Sequence, residues 1–159
     1  MTRSGANLAL LLLGGFKHLA DAATAELAQR GYDDVRPVHD FAMRAIEAGA
    51  GNASELGRRL SVSKQAAAKT ISVLEQRGYV HRSADPRDAR RKLLTVTPLG
   101  HEVMREGEAI FQDLRQQWET VIGVEALARL ESDLAQLVGA ETLDLNAPGW
   151  VASSAEVAG

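Results

Sequence analysis

The chain has 159 residues, 45% of them apolar and 25% charged, which fits one globular domain with a helical appendage and leaves no room for a separate catalytic domain. It contains no cysteine, which excludes a disulfide framework, a thiolate metal site and a thiol redox switch. The formal net charge is -3, but residues 54–92 hold ten basic against four acidic residues, a local charge of +6, so the rest carries -9.

The first predicted element is a long amphipathic helix that ends near Gly31. Apolar residues recur every three or four positions from Leu8 to Leu27, which is the spacing of one helix face. A short signal peptide is the alternative interpretation, because the apolar run 8–13 is followed by small residues at 20–22. The helical spacing continues past that run, which is itself too short to span a membrane, and therefore favours the helix.

Three shorter helices are predicted next, each from its own start signal. Pro37 suits the first turn of a helix that the glycine-rich stretch 49–51 stops. Asn52 then caps the following helix, with Glu55 three residues later in the manner of a capping box. After a tight turn, the hydroxyl of Ser63 caps the next helix, which ends at Gly78.

The helix that follows Ser63 has two chemically distinct faces. Apolar positions recur at helical spacing and are expected to face the core: Ala67, Ile71 and Leu74. A different face carries Gln65, Lys69 and Ser72, with Lys64 and Ala68 beside it. Two such faces are what a DNA-recognition helix requires.

A β-hairpin and two more helices complete the predicted elements. Short strands are predicted at 79–82 and 93–96, with a basic loop between them. Thr97 caps a helix that runs to Gly123, and a last apolar-striped helix follows. From residue 146 onward, Ala, Gly, Ser and Pro dominate, which predicts a loosely ordered tail.

These elements predict a mostly α fold with a small β-hairpin, in which a winged helix-turn-helix domain is joined to a helical region. This order of parts is the one that holds double-stranded DNA, with a helix for the major groove and a charged loop for the backbone and minor groove. The expected segments are 1–32, an N-terminal helix; 33–98, the winged helix-turn-helix DNA-binding domain; 99–140, the C-terminal helices; and 141–159, the loosely ordered tail.

Seven residues around the recognition helix are candidates for contact with DNA: Ser63, Lys64, Gln65, Ala66, Ala68, Lys69 and Ser72. Gln65 can make a paired hydrogen bond to adenine, while Lys64 and Lys69 can hold phosphates or a guanine edge. The two alanines can touch thymine methyls but cannot hydrogen-bond a base. An ordinary surface position is the alternative for each.

The predicted wing adds a second group of candidates: Arg82, Arg87, Asp88, Arg90, Arg91 and Lys92. Arg87, Arg90 and Arg91 crowd one exposed loop, where their repulsion destabilises the fold unless an anion or the nearby aspartates offset it. Arg82 and Lys92 are expected to contact the DNA backbone at the base of the wing, or else to be solvated strand residues.

No residue pattern supports catalysis, a metal or a cofactor. The four histidines, His18, His39, His81 and His101, fall in four different predicted elements without ligand spacing. No glycine-rich phosphate loop, nucleophile elbow or His-Glu metal helix occurs. We therefore expect a protein that is not an enzyme and needs no cofactor.

The chain resembles the MarR family of bacterial transcriptional regulators from about residue 8 to residue 139. The segments that carry the resemblance are Ser-Glu-Leu-Gly-Arg-Arg-Leu at 54–60, Ser-Lys-Gln at 63–65, Leu-Glu-Gln-Arg-Gly-Tyr-Val at 74–80, Asp-Pro-Arg-Asp-Ala-Arg at 85–90 and Leu-Thr-Val-Thr-Pro-Leu-Gly at 94–100. The resemblance implies an obligate homodimer whose first and last helices interleave, so that segments 1–32 and 99–140 form a helical dimerisation region. It also implies that Asp88 and Arg90 brace the wing and that Arg90 reaches the minor groove. Ala89 departs from the family, where a second arginine is frequent.

The resemblance also implies that a small aromatic or phenolic acid binds between the dimerisation helices and the winged domain. By position, five residues are expected to line such a pocket: Phe16, His39, Met43, Phe111 and Trp118. Plain hydrophobic core is the favoured alternative for aromatic and methionine side chains at helical spacing.

We therefore expect a cytoplasmic, homodimeric and ligand-responsive transcriptional repressor that binds a near-palindromic operator and no membrane. The first alternative is a small-molecule-binding protein that keeps the winged fold but has lost sequence-specific DNA binding, which the alanine-rich recognition helix motivates. A secreted helical protein and an architectural DNA-coating protein are further alternatives. Each differs from the first expectation in DNA selectivity or in its mature N-terminus.

Overall fold

A computed structural model describes residues 4–138, in which six helices accompany one two-stranded antiparallel sheet. The elements in chain order are α1 (Gly5–Gln29), α2 (Pro37–Glu47), α3 (Ala53–Leu60), α4 (Lys64–Gln76), β1 (Val80–Asp85), β2 (Asp88–Val96), α5 (Pro98–Ile122) and α6 (Val124–Val138). The predicted mostly α fold with a small β-hairpin is confirmed. The predicted tail lies outside the described residues, and the segment boundaries proposed above stay predictions.

Local caps set the starts of α3, α4 and α5. The side-chain oxygens of Asn52, Ser63 and Thr97 each accept a hydrogen bond from the backbone N–H three residues later, at 2.9, 3.1 and 3.1 Å. The capping box predicted for α3 differs in one bond. Glu55 Oε2 accepts from the backbone N–H of Gly51 at 2.8 Å, one residue before the cap, because the chain turns back there.

The turn between α3 and α4 is tight, and it fixes how α4 lies on α3. A β carbon at Gly57 would lie 2.9 Å from the carbonyl oxygen of Val62, so only glycine allows this approach. Ser61 closes the turn with a φ of +53° in the left-handed region. The position of α4 therefore follows from local backbone geometry.

The hairpin is longer than the sequence predicts. β1 pairs with β2 from Val80 opposite Val96, and the connection is the two-residue turn 86–87, with an irregularity after Ala84. The predicted strands 79–82 and 93–96 are too short, because charged residues on exposed strands give no apolar alternation from which to read their extent. The wing is thus regularly paired from Val80 opposite Val96 to Ala84 opposite Lys92, and Arg90 and Arg91 lie on β2 in the irregular stretch between that ladder and the turn.

The helices and the base of the hairpin share one hydrophobic core. Its largest fully buried side chains are Val35, Met43, Leu56, Ile71, Leu74, Val103 and Ile110. α1 packs against α5, while α6 contacts α5 through the buried Leu127. An ion pair from Arg115 Nε to Glu131 Oε1, at 2.6 Å, also links α5 to α6.

Two parts of the described chain leave apolar side chains in solvent. The N-terminal half of α1 exposes Leu8, Leu10, Leu11, Leu12 and Leu13. The end of α5 and α6 expose Val121, Ile122, Val124, Leu130, Leu137 and Val138. By length and composition α1 could cross a membrane, although a helix that packs against a partner protein has the same properties. This exposed apolar surface is larger than the scattered single apolar residues that monomeric soluble proteins normally expose.

Candidate nucleic-acid interface

The recognition helix α4 presents one buried and one exposed face. Ala67, Ile71 and Leu74 are at most 1% exposed and pack into the core, as predicted. The side chains that remain exposed at or near its outer face are Ser63, Lys64, Gln65, Ala66, Ala68, Lys69 and Ser72. All seven recognition-helix candidates are thus accessible to a ligand as large as DNA.

Two aspartates shape the turn of the wing. The carboxylate of Asp85 accepts a hydrogen bond from the backbone N–H of Arg87 at 2.8 Å, and Asp88 Oδ1 accepts from the backbone N–H of Arg90 at 3.0 Å. Asp88 therefore braces the wing through the backbone of Arg90, and the guanidinium group is left free to point elsewhere. Arg87 occupies the turn itself, while Arg90 lies just beyond it on β2.

Positive charge at this surface has no carboxylate partner. Among the described residues, no ion pair involves Lys64, Lys69, Arg87, Arg90, Arg91 or Lys92, and all six are exposed. Elsewhere, Lys17, Arg30, Arg44, Arg77 and Arg115 each pair with an acidic side chain. The wing and the start of α4 therefore form the basic surface, a name used below for these six residues.

Arg82 does not share this property. Its Nε and Nη2 atoms donate to Glu75 Oε1 at 3.1 and 2.6 Å, so its charge is compensated within the protein. The pair joins the end of α4 to β1 and holds the wing against the recognition helix. The structure thus gives Arg82 a contact within the protein, and its contact with the DNA backbone stays a prediction.

Arg58 is a candidate that the sequence analysis left out of the interface. It lies in the last turn of α3, is exposed and forms no ion pair within residues 4–138. The first helix of a helix-turn-helix crosses the DNA backbone, where an arginine can bind phosphate. The helix-turn-helix pattern of the sequence could have indicated Arg58 as a candidate, because it places this residue on the first helix of the motif.

The five residues predicted to line an effector pocket do not all border one cavity of the described chain. Met43 is fully buried in the core, and Trp118 contacts α1, with its ring 6.3 Å from that of His18. Phe16 is half-buried on α1. Of the five, Phe111 alone lines the cavity that the described residues enclose between α1, α2 and α5. Met43 is therefore better described as a residue of the hydrophobic core than as a pocket-lining residue.

That cavity is small and is bordered by a buried carboxylate. Its volume is about 10 Å³, room for roughly one water molecule. The residues that line it include Ala23, Leu27, Val35, Asp40, Val103 and Phe111. An organic effector could enter only if the helices around this cavity moved apart.

Asp40 is the buried charged residue at this cavity, and the sequence analysis missed it. Its Oδ2 atom pairs with Arg44 Nε at 2.7 Å, and Arg44 Nη2 reaches Glu108 Oε2 at 3.1 Å. Asp40 Oδ1 is buried without a hydrogen-bond partner, beside Gly107. Burial raises the pKa of Asp40, although the Arg44 guanidinium opposes that shift. The i, i+4 spacing of the pair on a predicted helix was the available signal.

His39 caps the start of α2. Its Nδ1 atom accepts a hydrogen bond from the backbone N–H of Arg36 at 2.9 Å, which requires that nitrogen to be unprotonated. Burial lowers the pKa of His39 to about 4, and the positive charge of Arg77 adds to the effect, while Asp34 opposes it. The imidazole ring of His39 is therefore neutral in the folded structure.

Acid should destabilise the protein through this cap. Because the pKa of His39 in the folded chain lies below its unfolded value of 6.5, the stabilisation is present above pH 6.5 and is lost as pH falls towards 4. We expect the free energy of unfolding to fall by roughly 1–3 kcal/mol over that interval from this group. His39→Gln keeps an acceptor for the Arg36 N–H without titrating, so urea unfolding at both pH values should show a smaller loss. Identical losses in the two proteins would contradict this assignment.

Within residues 4–138, no group of three or more His, Cys, Asp or Glu side chains is placed to hold a metal ion. His101 pairs with Glu47 across α5 and α2, and His18 packs near Trp118. His18, His39 and His101 therefore have contacts on separate elements, and His81 is exposed on β1.

Comparison with known proteins gives a family match that covers part of this candidate interface. The sequence model described as the MarR family matches residues 43–91, from α2 into the wing. No curated protein matches the sequence. The fold is similar to that of wild-type MarR from E. coli in its apo form, with 20% identity, a TM-score of 0.69 and coverage of 87% of this chain and 100% of that one.

Two further solved structures are similar in fold. One is a MepR variant from S. aureus bound to an oligodeoxyribonucleotide, with 16% identity, a TM-score of 0.57 and coverage of 82% and 95% of the two chains. The other is a MarR-family protein from Mycobacterium tuberculosis in complex with p-aminosalicylic acid, with 23% identity, a TM-score of 0.65 and coverage of 83% and 98%. The predicted winged helix-turn-helix fold and family resemblance are confirmed.

Proposed function

We propose that this chain is a member of the MarR family and acts as a homodimeric transcriptional repressor that binds a near-palindromic operator in the cytoplasm. The observation that carries the proposal is the basic surface. Six exposed cations without carboxylate partners repel one another unless a polyanion approaches them. Because the field is screened within roughly 8 Å at physiological salt, the acidic remainder of the chain does not cancel it.

The arrangement suits the two grooves of DNA. Helix α4 offers Gln65 and Lys69 to base edges of the major groove, while Arg90 on the wing lies where it can reach the adjacent minor groove or backbone. In a symmetric dimer the two recognition helices would enter successive major grooves about 34 Å apart. The dimer geometry itself would then select the spacing of the half-sites.

Dimerisation is supported by the apolar surface at the ends of α1, α5 and α6. Leu10 and Leu11 are each 65% exposed, and Val121 and Leu137 are each 81% exposed. Burying such side chains stabilises association by about 25 cal/mol per Å² of apolar surface. A second copy of the chain, which presents the same surface, is the partner we propose.

Charging this surface should dissociate the dimer. We expect Leu10→Glu/Leu11→Glu to be monomeric at micromolar concentration, because the dimer would bury two carboxylates per protomer without partners. Sedimentation or light scattering measures this directly. Leu99→Glu is the matched control, because Leu99 is also exposed, at 43%, but lies at the start of α5 near the wing. A dimer that survives the double substitution would place the interface elsewhere.

A ligand response is the finer part of the proposal. The cavity between α1, α2 and α5 joins the proposed dimerisation helices to the winged domain, and p-aminosalicylic acid is bound by a protein of similar fold. Because the cavity admits about one water, a small aromatic or phenolic effector would have to separate these helices and so change the spacing of the recognition helices. A coupling of about 1–3 kcal/mol is typical. Equal effector affinity for free and DNA-bound dimer would contradict this mechanism.

Operator binding tests the proposal. The wild-type protein should prefer DNA from its own upstream region over scrambled DNA of equal length and composition. A small-molecule-binding protein that has lost DNA recognition would show no preference, and the exposed Ala66 and Ala68 are what favour that second candidate. An architectural protein would bind both DNAs tightly.

A further inference from the structure

We infer that this protein selects A·T base pairs in the major groove, chiefly by contact of Ala66 and Ala68 with thymine methyl groups. The inference rests on the proposed function, because it requires α4 to enter a major groove. It goes further by naming the chemistry that the helix selects there.

The two alanines border the outer face of α4. Each lies one residue from the buried Ala67, which places them about 100° to either side of the core direction. Gln65 and Lys69 lie between them on the outer side. If this face of α4 entered the major groove, the methyl groups of Ala66 and Ala68 would contact the groove on either side of Gln65 and Lys69.

The hydroxyl groups near the start of the helix are already engaged. Ser63 Oγ accepts a hydrogen bond from the backbone N–H of Ala66 at 3.1 Å, and Thr70 Oγ1 donates to the carbonyl oxygen of Ala66 at 3.1 Å. In the first two turns of α4, the polar side chains without a hydrogen bond in the described chain are the Gln65 amide and the ammonium groups of Lys64 and Lys69.

These side chains favour one kind of base pair. An amide such as Gln65 makes a bidentate contact to adenine N6 and N7, and an alanine methyl packs on the C5 methyl of thymine. The most common reader of guanine is arginine, and α4 contains none. Lys69 is the rival reader, because an ammonium group can also contact guanine O6 and N7.

Removing thymine methyl groups tests the inference directly. A duplex selected from a random pool by the wild-type protein is resynthesised with single thymines replaced by deoxyuridine, which keeps every base-pair hydrogen bond. We expect about a fourfold loss of affinity for each contacted methyl, measured by fluorescence anisotropy, and little change at other thymines.

The alanine side of each contact is tested by substitution. Ala66→Ser/Ala68→Ser places a hydroxyl against the methyl group and should remove most of the preference for thymine over uracil at those positions. Ala109→Ser, on an exposed position of α5, makes the same chemical change away from the interface and should retain the full preference.

The possible failures are distinguishable. If wild-type protein selects a site but binds its uracil and thymine forms equally, or loses more affinity when guanine is replaced by 7-deazaguanine, the inference is wrong and the proposed function stands. If no duplex is selected from the pool, both are wrong.

Discussion

Arg90→Gln/Arg91→Gln should weaken operator binding by about a hundred- to a thousandfold near physiological salt. Both arginines are exposed and form no ion pair in the described chain, so each can neutralise a DNA phosphate. A dimer loses up to four such contacts, and each contact contributes about 0.9 to the slope of log K against log salt concentration. We therefore expect a slope shallower by about 3 to 4, measured by anisotropy titrations from low to high salt.

The matched control removes the same charge from another surface. Arg105 on α5 and Arg129 on α6 are also exposed and form no ion pair within residues 4–138. Arg105→Gln/Arg129→Gln should keep both the affinity and the salt slope of the wild type. If the two double variants lose affinity equally, net charge alone governs binding and the wing has no special role.

Gly100→Ala should destabilise the fold by about 3 kcal/mol or more. A β carbon at Gly100 would lie 2.2 Å from the carbonyl oxygen of Tyr79 and 2.7 Å from a methyl group of Val96. The first contact is with backbone, which cannot rotate away, so α5 would have to separate from the junction of α4 and β1. Urea unfolding at fixed protein concentration measures the loss, because the stability of the proposed dimer would depend on concentration.

Gly5→Ala provides the comparison for that prediction. The same methyl group at Gly5, the first residue of α1, would meet no heavy atom within 4 Å. Its effect should be neutral or slightly stabilising, because alanine has the higher helix propensity. Equal stability of the two variants would show that α5 can shift at no cost, contrary to the close approach seen at Gly100.

Helix starts could be predicted from the sequence because their causes are local. Asn52, Ser63 and Thr97 each lie within three residues of the N–H group that they cap. The core face of α4 could be predicted for the same reason, since helical spacing alone places Ala67 and Ile71 together.

Contacts between elements could not be predicted in this way. The pairing of Arg82 with Glu75 depends on how β1 crosses the end of α4, and nothing in the spacing of the two residues indicates it. The effector pocket stays a prediction for a similar reason. Met43 and Trp118 are on different helices, and the relative rotation of packed helices decides which side chains share a cavity.

The basic surface was partly visible in the sequence. Charge counting located it, but it could not show which cations were compensated within the fold. The structure separates Arg90, which lacks a carboxylate partner, from Arg82, which has one. This distinction selects, from a run of basic residues, those that we propose to contact a polyanion.

The central claim is that the protein is a sequence-selective DNA-binding regulator. We would measure the affinity of the wild-type protein for DNA from its own upstream region and for scrambled DNA of equal composition, across a salt series. The account predicts a preference of at least roughly a thousandfold, with log K falling linearly as log salt concentration rises. Equal affinity for the two DNAs at every salt concentration would contradict it.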